Sequence, residues 1–529
     1  MKPYILLYNP PTGTSVENKP MPLNLLSICS LLDEERVSIV ISQNFPEKVL
    51  DKFRPFIDNA LCLGISCMTG VQITYGLALA KKIKKLKPTL PIIWGGYHVT
   101  ALPDQTLKSR LVDIVVKGYG EITFSKLVEK LIAGQSYENI EGIAFQRNNE
   151  IIHTPERSIP KLDDLPPIPY HLFDVVKHFE ETGTRMLHYI TSRGCPHMCG
   201  FCADYVIYKR KWNALSAERV LDDLIRLKQK YNYDFVRFYD SNLFVNEKRI
   251  RKICEGVIEA KLNFKWIKCN GDAFIFRRYS HETLALMKKA GVTNVLLGVE
   301  SGYEPALQCI NKAANNEDNM MAVKKLHAHK ISIGFSFIFG FPYDLSHDEL
   351  LKEHRKELKA TMKLIGEFSK KYFSSDYYLL FVFTPYPGVL LSERYAKLGF
   401  VAPESFTQWG AINLNETKSC PWISSDLLNL YSQCIKIIWF LNHRLEPIIS
   451  RNIVRNIVLR HFVKLYDDVT GKIFVKRLNT GGFRLPIILM SIKKLIQTEL
   501  FGFFFHKVLL TIKKRKSDQI RHENPLRER

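Results

Sequence analysis

Residues 191–205 read TSRGCPHMCGFCADY, with cysteines at 195, 199 and 202 directly after the strand-like run MLHYITS. Thiolates bind iron–sulfur clusters and zinc, and both usually take four protein ligands. No fourth cysteine lies nearby in sequence, because the next are Cys254 and Cys269. Three thiolates on a cubane of four irons leave one iron open, and an open iron can hold a substrate. A zinc knuckle completed by His197 or His188 is the competing reading. A disulfide is disfavoured in a reducing compartment.

Outward from this loop the chain alternates strand and helix patterns. Downstream follow DFVRFYD (234–240), FKWIKCN (264–270), NVLLGVE (294–300), ISIGFSFIFG (331–340) and YYLLFVFTP (377–385), with helical patterns between them. With MLHYITS these are six strands, each followed by a helix except the last. The pattern predicts a partial (β/α)6 barrel of the TIM type over 186–400, with chemistry at the C-terminal strand ends. Upstream, 1–145 alternates in the same way, through YILLY, VSIVIS, ALCLGISC, PIIWGG and DIVVKG. Such alternation predicts a parallel, doubly wound α/β sheet whose ligand lies beyond the glycine-bearing strand ends. The Pro-rich stretch 146–185 reads as a linker, and 401–529 as a mostly helical, basic extension.

Composition limits the alternatives. A length of 529 residues implies two or three domains, and the cysteines lack the even spacing of a secreted disulfide framework. The N-terminus carries no signal-peptide pattern. The apolar runs from 485 and 500 are broken by Lys493, Lys494 and Glu499 before they reach a bilayer-spanning length of about 20 residues. A cytoplasmic protein is expected. Of the net charge of +22, residues 441–529 contribute 19 Lys/Arg against 7 Asp/Glu. That imbalance suggests peripheral contact of the C-terminus with an anionic membrane surface. The same segment would equally serve to close the barrel mouth. No helix-turn-helix or zinc-finger spacing supports a nucleic-acid partner.

The triad and its place after a first barrel strand resemble the radical S-adenosylmethionine superfamily. The resemblance implies a 4Fe–4S cluster on Cys195, Cys199 and Cys202, with S-adenosylmethionine on the open iron, cleaved by one electron to a 5′-deoxyadenosyl radical. It places Phe201 near the adenine, Asp240, Ser241 and Asn242 near the methionyl amine, and Glu300 and Ser301 of the Glu-Ser-Gly segment on the cofactor. Phe339-Gly-Phe-Pro342 and Thr384-Pro-Tyr-Pro-Gly388 resemble late-barrel turns. It further implies a small-molecule substrate and an external electron donor of the flavodoxin or ferredoxin type.

Segments NPP (9–11), GISCMTG (64–70), WGGYHVTALPD (94–104) and DIVVKGYGEITFSKL (113–127) are similar to the cobalamin-binding domain of one branch of that superfamily. Ser66, Gly95, Gly96, His98, Gly118, Gly120 and Glu121 are the positions this likeness puts around cobalamin. After the second strand, SQNFPEKVL lacks the Asp-x-His-x-x-Gly that ligates cobalt elsewhere, so His98 is expected to be a loop or tail contact and not a cobalt ligand. A radical methyltransferase acting on an unactivated carbon is the leading expectation. Radical cyclisation or rearrangement is second, and a non-catalytic corrinoid or iron–sulfur sensor is a distant third.

Overall fold

The apolar runs of the first third become strands of one sheet. In the computed structural model, which describes residues 2–12, 19–371, 376–412 and 420–442, β1 (Tyr4–Tyr8), β2 (Ser38–Ser42), β3 (Ala60–Ser66), β4 (Ile92–Gly95) and β5 (Ile114–Val116) run parallel in the order β2-β1-β3-β4-β5. Ile5, Leu6, Leu63, Ile92 and Trp94 are fully buried, as strands covered on both faces require. The first helix spans Leu23–Ile28. It then tightens into i→i+3 bonds from Cys29 to Leu26 and from Ser30 to Ser27, ahead of the polar Asp33–Glu35 run.

The sheet runs past the boundary expected at residue 145. Strands β6 (Ile143–Arg147) and β7 (Glu150–His153) extend it in antiparallel fashion. Asn148 and Asn149 turn between them with φ of 52° and 65°, the left-handed pair that a two-residue hairpin needs. The Pro-rich remainder wraps toward the barrel, and Tyr170 donates from Oη to the His188 carbonyl at 2.6 Å.

β8 (Met186–Tyr189) opens the second part. A short hairpin of β9 (Ser192–Arg193) and β10 (Asn213–Ala214) closes off the cysteine loop. β11 (Phe235–Phe238), β12 (Lys265–Trp266), β13 (Cys269–Gly271), β14 (Asn294–Glu300), β15 (Ser332–Phe339) and β16 (Tyr377–Val382) follow, in parallel sheets β12-β11-β8 and β13-β14-β15-β16. The single strand expected at 264–270 divides at Lys268, whose φ is 51°. Its first half pairs with β11 and its second with β14, so one segment joins the two half-sheets into a six-stranded arc. Caps at the strand exits start the return helices. Ser216, Asn246 and Ser280 accept from Arg219, Arg249 and Thr283 backbone N–H groups, and Asn315 forms a capping box with Asp318. Each cap contributes about 1 kcal/mol.

Residues 403–409 clasp the first sheet. Gln105 donates to the Pro403 carbonyl at 2.7 Å and accepts from the Trp409 indole at 2.6 Å, while Tyr97 donates to the Pro387 carbonyl at 2.6 Å. Among the described residues no helix is long and apolar enough to cross a membrane. The basic stretch 443–529, to which the expected membrane contact belongs, lies outside the described residues.

Candidate active site

The cysteine loop is held from three directions. Gly194 (φ 79°) turns the chain out of β9, where an added Cβ would sit 2.1 Å from the Lys211 carbonyl oxygen. Gly200 donates to the Ile310 carbonyl at 2.7 Å and accepts from Leu391 N–H at 3.0 Å. Cys195, Cys199 and Cys202 are reduced and partly exposed, and the Asn242 amide lies 3.8 Å from Cys195 Sγ as a donor. Burial pushes all three thiols up, Cys199 to about 11. Thiols in such a setting become thiolates when a metal takes them. No three His, Cys, Asp or Glu side chains among the described residues converge on a single-ion position; thiolates of a cubane are separated by the width of the whole cluster. His188, weighed as a fourth zinc ligand, accepts from the Met21 N–H at 2.8 Å.

Beside the loop lies a buried array of charges. Lys312 Nζ is 3.4 Å from Asp272 and 3.6 Å from Glu300, and His197 Nε2 is 3.4 Å from Asp272. Burial alone would raise the Asp272 carboxyl, but Lys312 and His197 outweigh it and hold it down at about 2. For Glu300 burial wins over Lys312, and its carboxyl is pushed up. Lys312 stays protonated, since Asp272, Cys199 and Glu300 outweigh its desolvation. Glu300 sits at a bulge of β14 with φ 65°, a costly conformation for a side-chain-bearing residue and one that clusters at functional sites. Its carboxylate folds back over Gly298, where a Cβ would meet Glu300 Oε1 at 2.4 Å. A pocket that offers both signs of charge beside three thiols suits an amino acid that binds by its ammonium and its carboxylate.

The other residues named for this cofactor divide. Phe201 packs on Phe341, ring centroids 6.2 Å apart. Asp240 is fully buried and accepts from Thr191 N–H, Thr191 Oγ1 and Ser192 Oγ at 2.5–2.9 Å, which braces the ends of β8 and β11. Ser241 is exposed. Ser301 lies 3.1 Å from Thr361 Oγ1 and accepts from Tyr303 N–H, so it fastens its own turn. Asn242, named in the same segment as Asp240 and Ser241, reaches Cys195 Sγ. Sequence reasoning missed Asp272, which directly follows β13, and Lys312, which lies beyond the helix Glu304–Cys309; no motif marks either.

At the strand ends of the first sheet is a cavity of about 240 Å³. Ser66, Gly95, Gly96, Gly118, Gly120 and Glu121 all line it, with Leu23, Ile65, Ile93 and Phe124. A Cβ at Gly118 would meet nothing within 4 Å, and one at Gly95 only the Val116 carbonyl at 3.9 Å, so these glycines leave the space open. It is smaller than the roughly 300–1,000 Å³ that encloses a whole ligand, and fits the tail of a nucleotide-bearing cofactor. His98 is not among the lining residues. It is fully buried, hydrogen-bonded to Thr69 at 2.8 Å, and packed between Phe406 and Trp409. Burial lowers it to about 4, so it is a neutral element of the clasp.

One side chain crosses from the cysteine loop into this cavity. Arg193, two residues before Cys195, lines the cavity and donates to Glu121 Oε1 at 2.5 Å and Ser27 Oγ at 2.6 Å, over the Tyr119 ring. Ser27 donates to the same carboxylate oxygen at 2.7 Å. Burial would raise Glu121, but Arg193 prevails and holds it ionised.

Both halves of this architecture have counterparts. The Radical SAM superfamily model matches residues 189–353 and the B12 binding domain model residues 11–128. The chain is therefore a radical S-adenosylmethionine enzyme with a cobalamin-binding domain ahead of its barrel, and its cofactors are a 4Fe–4S cluster, S-adenosylmethionine and cobalamin. Among individual proteins, it is 29% identical to an uncharacterized methyltransferase of Pyrococcus horikoshii over 74% of this chain and 82% of the relative. It is 28% identical to the anaerobic magnesium-protoporphyrin IX monomethyl ester cyclase of Synechocystis sp., over 62% and 67%. The fold matches that of the cobalamin-dependent S-adenosylmethionine radical enzyme OxsB, with a TM-score of 0.65 at 18% identity, covering 98% of this chain and 81% of OxsB.

Proposed function

We propose that this enzyme methylates an unactivated carbon of a small, hydrophobic molecule. The observation that carries the reading is the Arg193–Glu121 link, which fixes the cysteine loop directly against the cavity of the cobalamin domain. When bound, the cluster and S-adenosylmethionine supply a carbon radical, and cobalamin supplies a transferable methyl group. This chain's residues then have separable tasks. Cys195, Cys199 and Cys202 hold the cluster, while Lys312 and Glu300 take the carboxylate and the ammonium of S-adenosylmethionine. Ser66, Gly95, Gly96, Gly118 and Gly120 make room for cobalamin. Ile190 and Ile207 contribute apolar surface at the cavity, which helps to exclude the water that would quench a radical.

The test is anaerobic reconstitution with methyl-labelled S-adenosylmethionine and candidate substrates. Label in product that depends on both cofactors is expected, and deoxyadenosine formed with no dependence on cobalamin would reject the reading. Cyclisation is the second reading, favoured by the likeness to the Synechocystis cyclase. Product mass separates the two, because methylation adds one methylene. The excess of Lys/Arg in 441–529 supports peripheral contact of a cytoplasmic enzyme with anionic membranes. Sedimentation with anionic liposomes, with and without 481–529, tests it, and equal binding by both rejects it.

A further inference from the structure

The three residues between the first two cysteines, Pro196, His197 and Met198, are partly exposed, so the loop has an outer face as well as the face turned to the charged pocket. Two basic elements bracket it. On one side the helix Asp204–Tyr208 ends in Lys209 and Arg210, both with left-handed φ (46° and 66°). This strained turn folds Lys209-Arg210-Lys211 back onto the loop, with the Lys211 carbonyl against Gly194 and Arg210 Nε donating to the Pro196 carbonyl at 3.3 Å. On the other side the Phe274 ring packs edge-on against His197, 5.9 Å between centroids, and carries Arg277 and Arg278 at 4.5 and 4.1 Å.

Lys209 is paired with Glu156 and Arg277 with Asp318. Arg210, Lys211 and Arg278 are exposed, and none forms an ion pair among the described residues. Resting on the reading of Cys195–Cys202 as a cluster site, we propose that this bracket is the docking surface for a small acidic electron-transfer protein. A flavin-bearing carrier seated there would face a cluster held on Cys195, Cys199 and Cys202 across the partly exposed Pro196–Met198 loop. Its reduced flavin is oxidised by one electron and the cluster is reduced by one, with no bond in this chain made or broken. Rim charges of this kind accelerate encounter more than they add affinity, and salt weakens them.

The experiment uses the reconstituted full chain and a reduced flavodoxin, with loss of the cluster's visible absorbance followed by stopped flow. Binding of oxidised flavodoxin is measured in parallel. The triple variant R210E/K211E/R278E is expected to slow reduction by flavodoxin roughly ten- to hundredfold at low salt, weaken binding, and leave reduction by dithionite unchanged. If the reversals impair cluster loading, R210Q/K211Q/R278Q is expected to flatten the salt dependence of the flavodoxin rate. A wild-type rate indifferent to ionic strength, or variant rates equal to wild type, would overturn the proposal. Normal flavodoxin reduction without product methylation would overturn the proposed function and leave this surface standing. A chain that takes up no cluster would overturn both.

Discussion

The two pockets that meet at the cysteine loop are built by opposite means. On the cobalamin side the walls are mostly glycine, aliphatic and aromatic, and the buried Arg193–Glu121 pair there draws its cation from the barrel. On the cluster side Asp272, Glu300, Lys312 and His197 crowd together out of water. On the proposed function, the first pocket would take the tail of a large ligand by leaving space. The second would take a small zwitterion by charge, at the expense of desolvating four polar groups that stabilise one another only as a set.

This contrast predicts where the fold is most fragile. Lys312→Met strands two buried carboxylates, so a loss of about 3–5 kcal/mol is expected, read as a lower urea midpoint together with loss of S-adenosylmethionine binding. An unchanged midpoint would show that the array is not the stabilising unit described. Next in size is the bridge between the pockets. Arg193→Met and Glu121→Leu should each cost about 3 kcal/mol alone, whereas the double variant should cost clearly less than their sum, because neither charge is left unpaired. Strict additivity would break the bridge argument.

Cofactor loading should separate the sides cleanly. Gly95→Val puts atoms into the cavity and should weaken cobalamin about tenfold or more, while Cys199→Ala should abolish the cluster absorbance and spare cobalamin. Loss of both cofactors in either variant would mean that the sites are not independent. The smallest effect concerns the clasp. His98 has its folded pKa lowered from 6.5 to about 4, so between those values the unfolded chain binds more protons than the folded one. Stability therefore falls as pH drops through that window, by on the order of 1 kcal/mol between pH 7 and 5. His98→Gln should lessen that slope in denaturant titrations.

Legibility in the sequence followed the same division. The cavity residues Ser66, Gly95, Gly96, Gly118, Gly120 and Glu121 were readable from the likeness of their segments to cobalamin-binding domains, helped by the glycines that follow the apolar strand runs. Cys195, Cys199 and Cys202 were readable because the spacing is local. Asp240 and Ser301 stood in readable motifs, yet the fold engages them in bracing its own turns. Asn242 stood in the same segment as Asp240 and does reach Cys195, whereas Asp272 and Lys312 carried no local signal. His98, next to the glycines in sequence, was drawn out of their cavity by Phe406 and Trp409, which follow it by some three hundred residues.

The sequence by itself determined the cysteine triad proposed to hold the cluster, the two α/β units and the glycine-rich strand ends, since periodicity and short spacings are properties of neighbouring residues. Only the tertiary structure decided which charges gather beside the cysteine loop, that the third barrel strand divides at Lys268, and that Arg193 joins the loop to Glu121. Each of these depends on burial and on contacts between segments far apart in the chain, where desolvation makes a single ion pair decisive and where local pattern has nothing to say.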